Sequence, residues 1–119
     1  MTAAKQTFRD RVASASEIDL TVTGRKSGRA ISQPIWFVAE GDTLYLLPVR
    51  GSDTHWYKNI LQNPSIQIAA NGAAEKIPAT PITDATQVSA VIGKFRSKYG
   101  ADVKKYYSKF DVAVIAQTR

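Results

Sequence analysis

The chain has 119 residues, of which 44% are hydrophobic and 22% charged, a composition that predicts one globular domain over residues 1–119 and excludes a disordered chain. It contains no cysteine and one histidine, His55, which excludes disulfides, thiolate catalysis, zinc sites built on cysteine and metal sites that need several histidines. The formal net charge of +6 indicates an anionic partner or simply a basic surface.

The N-terminal residues predict a short helix and no targeting segment. Phe8 and Val12, four residues apart, give residues 3–16 the thin apolar stripe of an amphipathic surface helix. Charged residues between Lys5 and Arg11 interrupt any apolar stretch of the kind that a signal peptide needs. No run of about 18 apolar residues occurs anywhere, so we expect a soluble, cytoplasmic protein.

Three strands are predicted after this helix. Ile18, Leu20 and Val22 alternate with polar residues, which is the period of a half-buried strand. Pro34 in the second strand indicates an edge position or a bulge, and a turn at residues 40–42 leads into the third strand. The three strands cover residues 18–23, 31–39 and 43–49.

Residues 24–29, with the sequence Gly-Arg-Lys-Ser-Gly-Arg, lie between the first two strands and are called the basic turn. Both glycines can take positive φ at little steric cost, which suits the two ends of a hairpin loop. Arg25, Lys26 and Ser27 offer cations, a hydroxyl and backbone amides to an anion. The alternative is a solvated turn that binds nothing.

A helix is predicted to follow Arg50 and Gly51, with Ser52 or Asp53 as its cap, and to end before Pro64. A helix N-terminus carries unpaired amides and the positive end of a dipole, and a glycine beside it lets a ligand approach the backbone closely. This segment is therefore a second candidate element for binding an anion. A capped turn without a ligand is again the alternative.

The remaining chain predicts a hairpin, two helices and a last strand. Asn71-Gly72 is a strong signal for a two-residue hairpin, and Asp84 is a predicted helix cap. Six strands joined mainly by hairpins indicate an antiparallel barrel or curled sheet rather than a βαβ fold. The predicted strands cover residues 65–70, 75–82 and 112–116, and the helices cover residues 84–99 and 102–110.

Five aromatic residues are candidates for lining a pocket. Trp36 and Trp56 suit the walls of a site for a planar ligand, and Tyr99, Tyr106 and Tyr107 suit its mouth. Packing in the core is the alternative for each of them. No arrangement of serine, histidine and aspartate supports hydrolysis.

An ordered set of short motifs resembles the deazaflavin-dependent nitroreductase family. The motifs lie within residues 18–83, with a looser similarity at the last strand, and they are residues 23–29, 34–38, 44–46, 49–51, 56–59 and 63–64. The resemblance implies a mainly β fold with flanking helices, namely a split β-barrel related to the FMN-binding, pyridoxamine-phosphate-oxidase-like group. It also implies hydride transfer from reduced coenzyme F-420 to a small-molecule acceptor such as a quinone, a nitroaromatic or an enone.

The same resemblance implies roles for individual residues. The basic turn would hold the phosphate and the acidic tail of the coenzyme, and Pro34 would lie against its ring. The implied cofactor-binding set is Arg25, Lys26, Ser27, Gly28, Pro34, Val49, Arg50, Gly51, Trp56 and Asn59. The implied substrate pocket is Trp36, Tyr99 and Tyr106. No metal and no catalytic side chain are implied, because the coenzyme itself carries the chemistry.

Several alternatives stay open on the sequence. Ala30 and Ile31 stand where many relatives carry a proline and an arginine, so FMN remains an alternative to the deazaflavin. A non-catalytic barrel that carries an anionic or lipophilic ligand is another. A nucleic-acid-binding barrel could stack bases on Trp36 or Tyr45, but the basic residues are scattered rather than interleaved with aromatic ones, which argues against it. Both a monomer and a homodimer fit the sequence.

Overall fold

A computed structural model describes residues 12, 15 and 17–117 of the chain. The helix predicted over residues 3–16 therefore lies outside the described residues, apart from Val12 and Ala15. Val12 is fully buried and belongs to the main hydrophobic core, against which Ala15 packs. The segment before the first strand thus contributes at least one side chain to the interior.

Strands dominate the described part of the chain, and they form one antiparallel sheet in the order β2-β1-β5-β6-β7-β4-β3. The strands are β1 Ile18–Thr23, β2 Ala30–Ile35, β3 Phe37–Glu40, β4 Thr43–Leu46, β5 Ser65–Ala70, β6 Ala73–Ile82 and β7 Ala113–Gln117. The α-helices are α1 His55–Gln62, α2 Ala85–Tyr99 and α3 Asp102–Tyr106, and a 3₁₀ helix covers Gly51–Asp53. The predicted antiparallel, hairpin-rich architecture is confirmed.

Trp36 is the point at which the sheet closes on itself. This single residue separates β2 from β3, yet the two strands stand at opposite ends of the strand order. The two ends of the sheet must therefore lie close together, which curls the sheet into an open barrel. The prediction of one continuous strand over residues 31–39 is wrong for this reason, whereas the edge position predicted for Pro34 is confirmed, because β2 is an edge strand.

A helix side chain satisfies the backbone at this break. The hydroxyl of Tyr99, at the end of α2, donates to the carbonyl oxygen of Phe37 at 2.8 Å and accepts from the amide of Phe37 at 3.1 Å. The Lys98 ammonium donates to the same carbonyl at 2.8 Å and lies 3.7 Å above the Phe37 ring. Burial lowers the pKa of Lys98 from its ordinary value. Because these partners are 61 and 62 residues away in sequence, no local sequence pattern predicts the break between β2 and β3.

Local signals located the Asn71-Gly72 hairpin and both ends of α2 correctly. Asn71 and Gly72 both have positive φ, 49° and 82°, as a two-residue hairpin with the favoured twist requires. The carboxylate of Asp84 accepts from the amide of Gln87 at 3.0 Å and so caps α2, while Gly100 ends that helix with a φ of 65°. These signals work because they act within a few residues.

Element lengths differ from prediction at three places. β4 ends at Leu46 rather than at residue 49, and α3 ends at Tyr106 rather than at residue 110. β6 begins at Ala73, two residues earlier than predicted, because the tight turn lets pairing with β5 start at once.

Two hydrophobic clusters lie on opposite faces of the sheet. The main core fills the barrel, and its largest fully buried members include Phe37, Leu20, Leu44, Leu46, Ile66 and Ile68. In the second cluster α2 packs on the outer face through Val88, Val91 and Phe95. Burying each such side chain contributes about 1.5–3 kcal/mol relative to leaving it exposed. This outer layer brings the C-terminal tyrosines to Trp36.

Within the described residues, no helix combines the length and the apolar character that crossing a bilayer requires.

Candidate functional site

A cleft of about 440 Å³ opens beside the β2–β3 break and is called the aromatic cleft. Its volume lies in the range of sites that take small molecules. Its apolar and aromatic lining includes Pro34, Trp36, Val49, Trp56, Tyr106 and Tyr107, and its polar lining is Glu17, Gln33 and Thr54. Five of the predicted site residues, from four separate segments, meet in this cleft.

Stacking holds Trp36 rigidly at one wall. Its ring lies face to face with that of Tyr99, with centroids 4.2 Å apart and planes 8° apart. Tyr106 meets the same indole edge-on at 5.7 Å, and Tyr107 approaches at 6.0 Å. Such aromatic pairs add about 0.5–1.5 kcal/mol each beyond the area that they bury. Contacts within the protein therefore hold this wall of the aromatic cleft in place.

Of the three tyrosines that the sequence offered for the mouth of a pocket, Tyr106 and Tyr107 line the cleft and Tyr99 does not. Tyr99 packs behind Trp36 with its hydroxyl bound to the backbone of Phe37, and it does not line the cleft. Tyr107 does line it, although only 6% of its surface is exposed, and burial raises the pKa of its hydroxyl well above the ordinary value. The phenol therefore stays protonated at physiological pH.

A second cleft, of about 300 Å³, is called the basic cleft. The basic turn supplies one side of it through Arg25, Lys26 and Ser27, and α1 supplies the other through His55 and Asn59. Two cations thus face one concave surface, as the sequence predicted for an anion-binding turn. The sequence had not placed His55 there.

Asn59 ties the basic turn to α1. It is only 4% exposed, and its side-chain oxygen accepts from the Arg25 amide at 3.0 Å and from the Arg25 guanidinium at 2.8 Å. The resemblance implied that Asn59 belongs to the cofactor-binding set, and in the structure it lines the basic cleft while its oxygen binds Arg25. A buried side chain with both bonds made fixes the direction of the guanidinium over the basic cleft.

The two glycines of the basic turn serve different purposes. Gly28 has a φ of 72°, which favours glycine, and its amide donates to the carbonyl of Gly24 at 2.9 Å. Gly24 is needed for space, because a Cβ at that position would lie 2.9 Å from the hydroxyl of Ser27. Gly24 also donates to the carbonyl of Arg29 at 2.8 Å, which closes the loop. The predicted hairpin is confirmed, with positive φ at only one end.

The segment over residues 50–54 is not the open amide site that the sequence predicted. Each of its five backbone amides already has an acceptor in the protein: the Thr54 hydroxyl for Arg50, the Pro48 carbonyl for Gly51, Asp111 for Ser52, the Arg50 carbonyl for Asp53 and the Gly51 carbonyl for Thr54. The helix itself begins later, at His55, with Thr54 as its cap residue and without a side-chain cap. Both predicted caps are wrong because Ser52 and Asp53 bind residues of the C-terminal segment instead.

Asp111 occupies the space beside Gly51. Its carboxylate accepts from the Ser52 amide at 2.9 Å and from the Ser52 hydroxyl at 2.5 Å, and a Cβ on Gly51 would overlap it. Lys109 adds ion pairs to Asp53 at 3.1 Å and to Asp111 at 3.7 Å. The missing side chain of Gly51 therefore makes room for a carboxylate of the protein, and the prediction that it makes room for a ligand is wrong.

The contacts of Asp111 lead to a prediction of pH dependence. Partial burial opposes its ionised form, but hydrogen bonds from Ser52 and the charge of Lys109 outweigh this and hold the pKa of Asp111 below its ordinary value of 3.8. A lowered folded-state pKa stabilises the fold above the unfolded pKa, and this contribution disappears as the pH falls through the folded pKa. Asp111→Asn should therefore cost less than about 1 kcal/mol of unfolding free energy at pH 7, since the site is exposed.

Urea unfolding of wild type and Asp111→Asn across acidic and neutral pH checks this. The difference between the two proteins should be constant near neutrality, should shrink as the pH falls past the ordinary pKa of an aspartate and should vanish below the lowered pKa of folded Asp111. An equal difference at every pH would show that the charge of Asp111 has no part in the effect.

The two clefts lie on either side of the first turn of α1, since His55 lines one and the adjacent Trp56 lines the other. Between them they collect most of the predicted site. The predicted residues that line neither cleft are Gly28, Arg50, Gly51 and Tyr99. Among residues 17–117 no three side chains of the histidine, aspartate and glutamate types gather in a group that could hold a metal ion.

The chain matches one protein family and is similar to solved structures that share its fold. The DUF2255 family, described as an uncharacterized protein conserved in bacteria, matches residues 9–118. The chain is similar to an F-420-H2-dependent reductase, FDR-A, with a TM-score of 0.67 and 19% identity over 86% of this chain and 94% of that one. It is also similar to a second F-420 reductase, with a TM-score of 0.65 and 15% identity over 95% and 93% of the two chains.

The heme storage protein HutZ of Vibrio cholerae has the same fold, with a TM-score of 0.69 and 15% identity over 89% of this chain and 83% of that one. The curled antiparallel sheet with flanking helices is thus the split β-barrel that the resemblance predicted. The likeness to deazaflavin-dependent proteins noted in the sequence is confirmed for the fold. The chain belongs to the DUF2255 family and has the split β-barrel fold.

Proposed function

We propose that the protein is a deazaflavin-dependent oxidoreductase that binds reduced coenzyme F-420 and reduces a quinone, a nitroaromatic or an enone. One observation carries the proposal: an apolar aromatic cleft and a basic cleft adjoin at the start of α1. This pair suits a molecule that joins a flat ring to an anionic tail, and coenzyme F-420 is such a molecule. Two of the similar structures named above are F-420 reductases, which supports the same choice.

The basic cleft would take the phosphate and the acidic tail. Arg25 and Lys26 supply charge-assisted hydrogen bonds, and the Ser27 hydroxyl adds a neutral one. Asn59 is a positioning residue here, because its oxygen holds the Arg25 guanidinium at 2.8 Å. Arg50 has an exposed side chain and would contribute through its charge alone, since its amide is engaged by Thr54.

The aromatic cleft would take the ring and the acceptor. Pro34, Val49 and Trp56 offer apolar surface to the ring, and Trp36 and Tyr106 offer aromatic surface to the acceptor. When bound, the reduced coenzyme supplies the hydride, so the protein needs only to bind, orient and exclude water. The protonated hydroxyl of Tyr107 is a hydrogen-bond donor for an oxygen atom of the acceptor.

The test is equilibrium binding followed by intrinsic fluorescence. Trp36 and Trp56 are the two tryptophans of the chain and both line the aromatic cleft, so quenching reports its occupancy directly. Coenzyme F-420 should quench this fluorescence saturably with micromolar or tighter affinity, and Trp56→Phe should remove part of the signal.

FMN and hemin are titrated in parallel. FMN also joins a flat ring to a phosphate, so binding of FMN alone would move the protein to the flavin branch of the same reaction class. Hemin tests the heme-protein alternative that the similarity to HutZ raises. The one histidine, His55, lines the basic cleft and not the aromatic cleft, which argues against it as an axial ligand to a ring held by Trp36 and Trp56. Binding of neither F-420 nor FMN would overturn the proposal.

A further inference from the structure

Charge is divided unevenly between the two clefts. Arg25 and Lys26 face the basic cleft, whereas the charged residue that lines the aromatic cleft within the described chain is a carboxylate, Glu17. Glu17 is exposed at the start of β1, directly before Ile18, so its side chain lies on the open side of the cleft. A ligand that enters the aromatic cleft therefore meets one negative charge and aromatic walls.

The remaining polar groups of this cleft are neutral. Thr54 is 7% exposed, and its oxygen already accepts from the Arg50 amide at 2.8 Å, so its hydroxyl proton is the part left to donate. Gln33 can donate through its side-chain amide, and Tyr107 through its phenol. These donors suit the uncharged oxygen atoms of a carbonyl or nitro group. None of them neutralises a carboxylate or a sulfonate.

The negative charge of Glu17 also acts on Tyr99, the ring that stacks on Trp36. It raises the pKa of Tyr99, although burial is the larger cause of that shift and the hydrogen bond to Phe37 opposes it. Tyr99 stacks directly on Trp36, which forms the cleft wall. Because the charge of Glu17 acts on Tyr99, which lies behind Trp36, it also acts on a molecule bound against Trp36 itself.

We infer that the aromatic cleft selects the acceptor by charge, taking flat molecules that are neutral or cationic and disfavouring anionic ones, with Glu17 as the specificity-determining residue. The inference rests on the proposed function for the statement that the occupant is the acceptor. The coenzyme's own anionic tail is consistent with it, since that tail belongs to the basic cleft. Because Glu17 lies on the open side of the cleft, replacing it should leave the aromatic walls unchanged.

The experiment uses three probes of nearly one shape: para-nitrobenzyl alcohol, para-nitrobenzylammonium and para-nitrobenzoate. Each is titrated into the protein alone, and into the protein saturated with coenzyme F-420 or FMN if one of these binds, with tryptophan fluorescence as the readout. We expect para-nitrobenzoate to bind about threefold to fivefold more weakly than the alcohol, a difference typical of an exposed charge. The ammonium should bind at least as tightly as the alcohol.

Three variants separate charge from structure. Glu17→Gln should bring the three affinities together, and Glu17→Lys should reverse their order. Glu75→Gln is the matched control: it makes the same substitution on β6, at a position that lines neither cleft, and it should keep the wild-type order. Added salt should shrink the discrimination in the wild type, because exposed charges are screened within about 10 Å at moderate ionic strength.

Three results would overturn the inference. Equal affinities for the three probes in the wild type would do so, and so would failure of all three to bind. An unchanged order in both Glu17 variants would remove Glu17 from the role. Because the probes are titrated into the protein alone, this test stands apart from the coenzyme test: absence of F-420 and FMN binding overturns the proposed function, whereas charge-blind probe binding overturns only the selectivity.

Discussion

Replacing Arg25 and Lys26 together by alanine should weaken the binding of coenzyme F-420 about a hundredfold. A hydrogen bond to a charged group contributes about 1.5–3 kcal/mol, and each 1.4 kcal/mol is about tenfold in affinity. Stability should change little, because residue 25 keeps the backbone amide that donates to Asn59 at 3.0 Å. The affinities come from fluorescence titration, and thermal unfolding of the same samples measures the stability.

The control for this pair is Arg96→Ala combined with Lys104→Ala. These residues are exposed on α2 and α3, line neither cleft, and give the same loss of two positive charges. If the control pair weakened binding as much as the test pair, the effect would be one of net charge and not of the basic cleft. An affinity within about twofold of wild type in the test pair would contradict the phosphate-binding role.

Gly51→Ala should destabilise the fold by about 2–4 kcal/mol. The φ of 53° costs an L-residue about 1–2 kcal/mol, and the new Cβ would overlap the carboxylate of Asp111. Displacing that carboxylate breaks its two hydrogen bonds with Ser52, at a further cost of about 1–2 kcal/mol. Urea unfolding at neutral pH measures the total.

Two other glycines separate the causes. Gly41 has a φ of 58° but open space where a Cβ would lie, so Gly41→Ala should show the backbone cost alone, about 1–2 kcal/mol. Gly93 lies inside α2 with the same open space, and Gly93→Ala should stabilise the protein by about 0.5–1 kcal/mol. A Gly51→Ala protein no less stable than Gly41→Ala would show that the contact with Asp111 contributes nothing.

The local chemistry of the chain determined where most elements begin and end. Asn71-Gly72 forms the predicted hairpin, Asp84 caps α2 and Gly100 ends it, because each acts on backbone groups within four residues of itself. The alternation of Ile18 and its neighbours located β1 for the same reason: one face of a strand is a property of the strand itself. The cations of the basic turn were also readable, since a short hairpin loop cannot separate them.

Contacts between distant segments decided the rest. The predicted strand breaks at Trp36, where Tyr99 from α2 binds the backbone of Phe37. Ser52 does not cap a helix as predicted, because its hydroxyl binds Asp111, which is 59 residues away in sequence. Asn59 binds Arg25, which is 34 residues away in sequence, so no local pattern could predict this contact. Residue types and spacing along the chain do not report such distances. The sequence by itself therefore determined most of the strands, both ends of α2 and the basic turn. Only the tertiary structure decided where the second predicted strand breaks and which side chains meet in the two clefts, because packing across the barrel makes that choice.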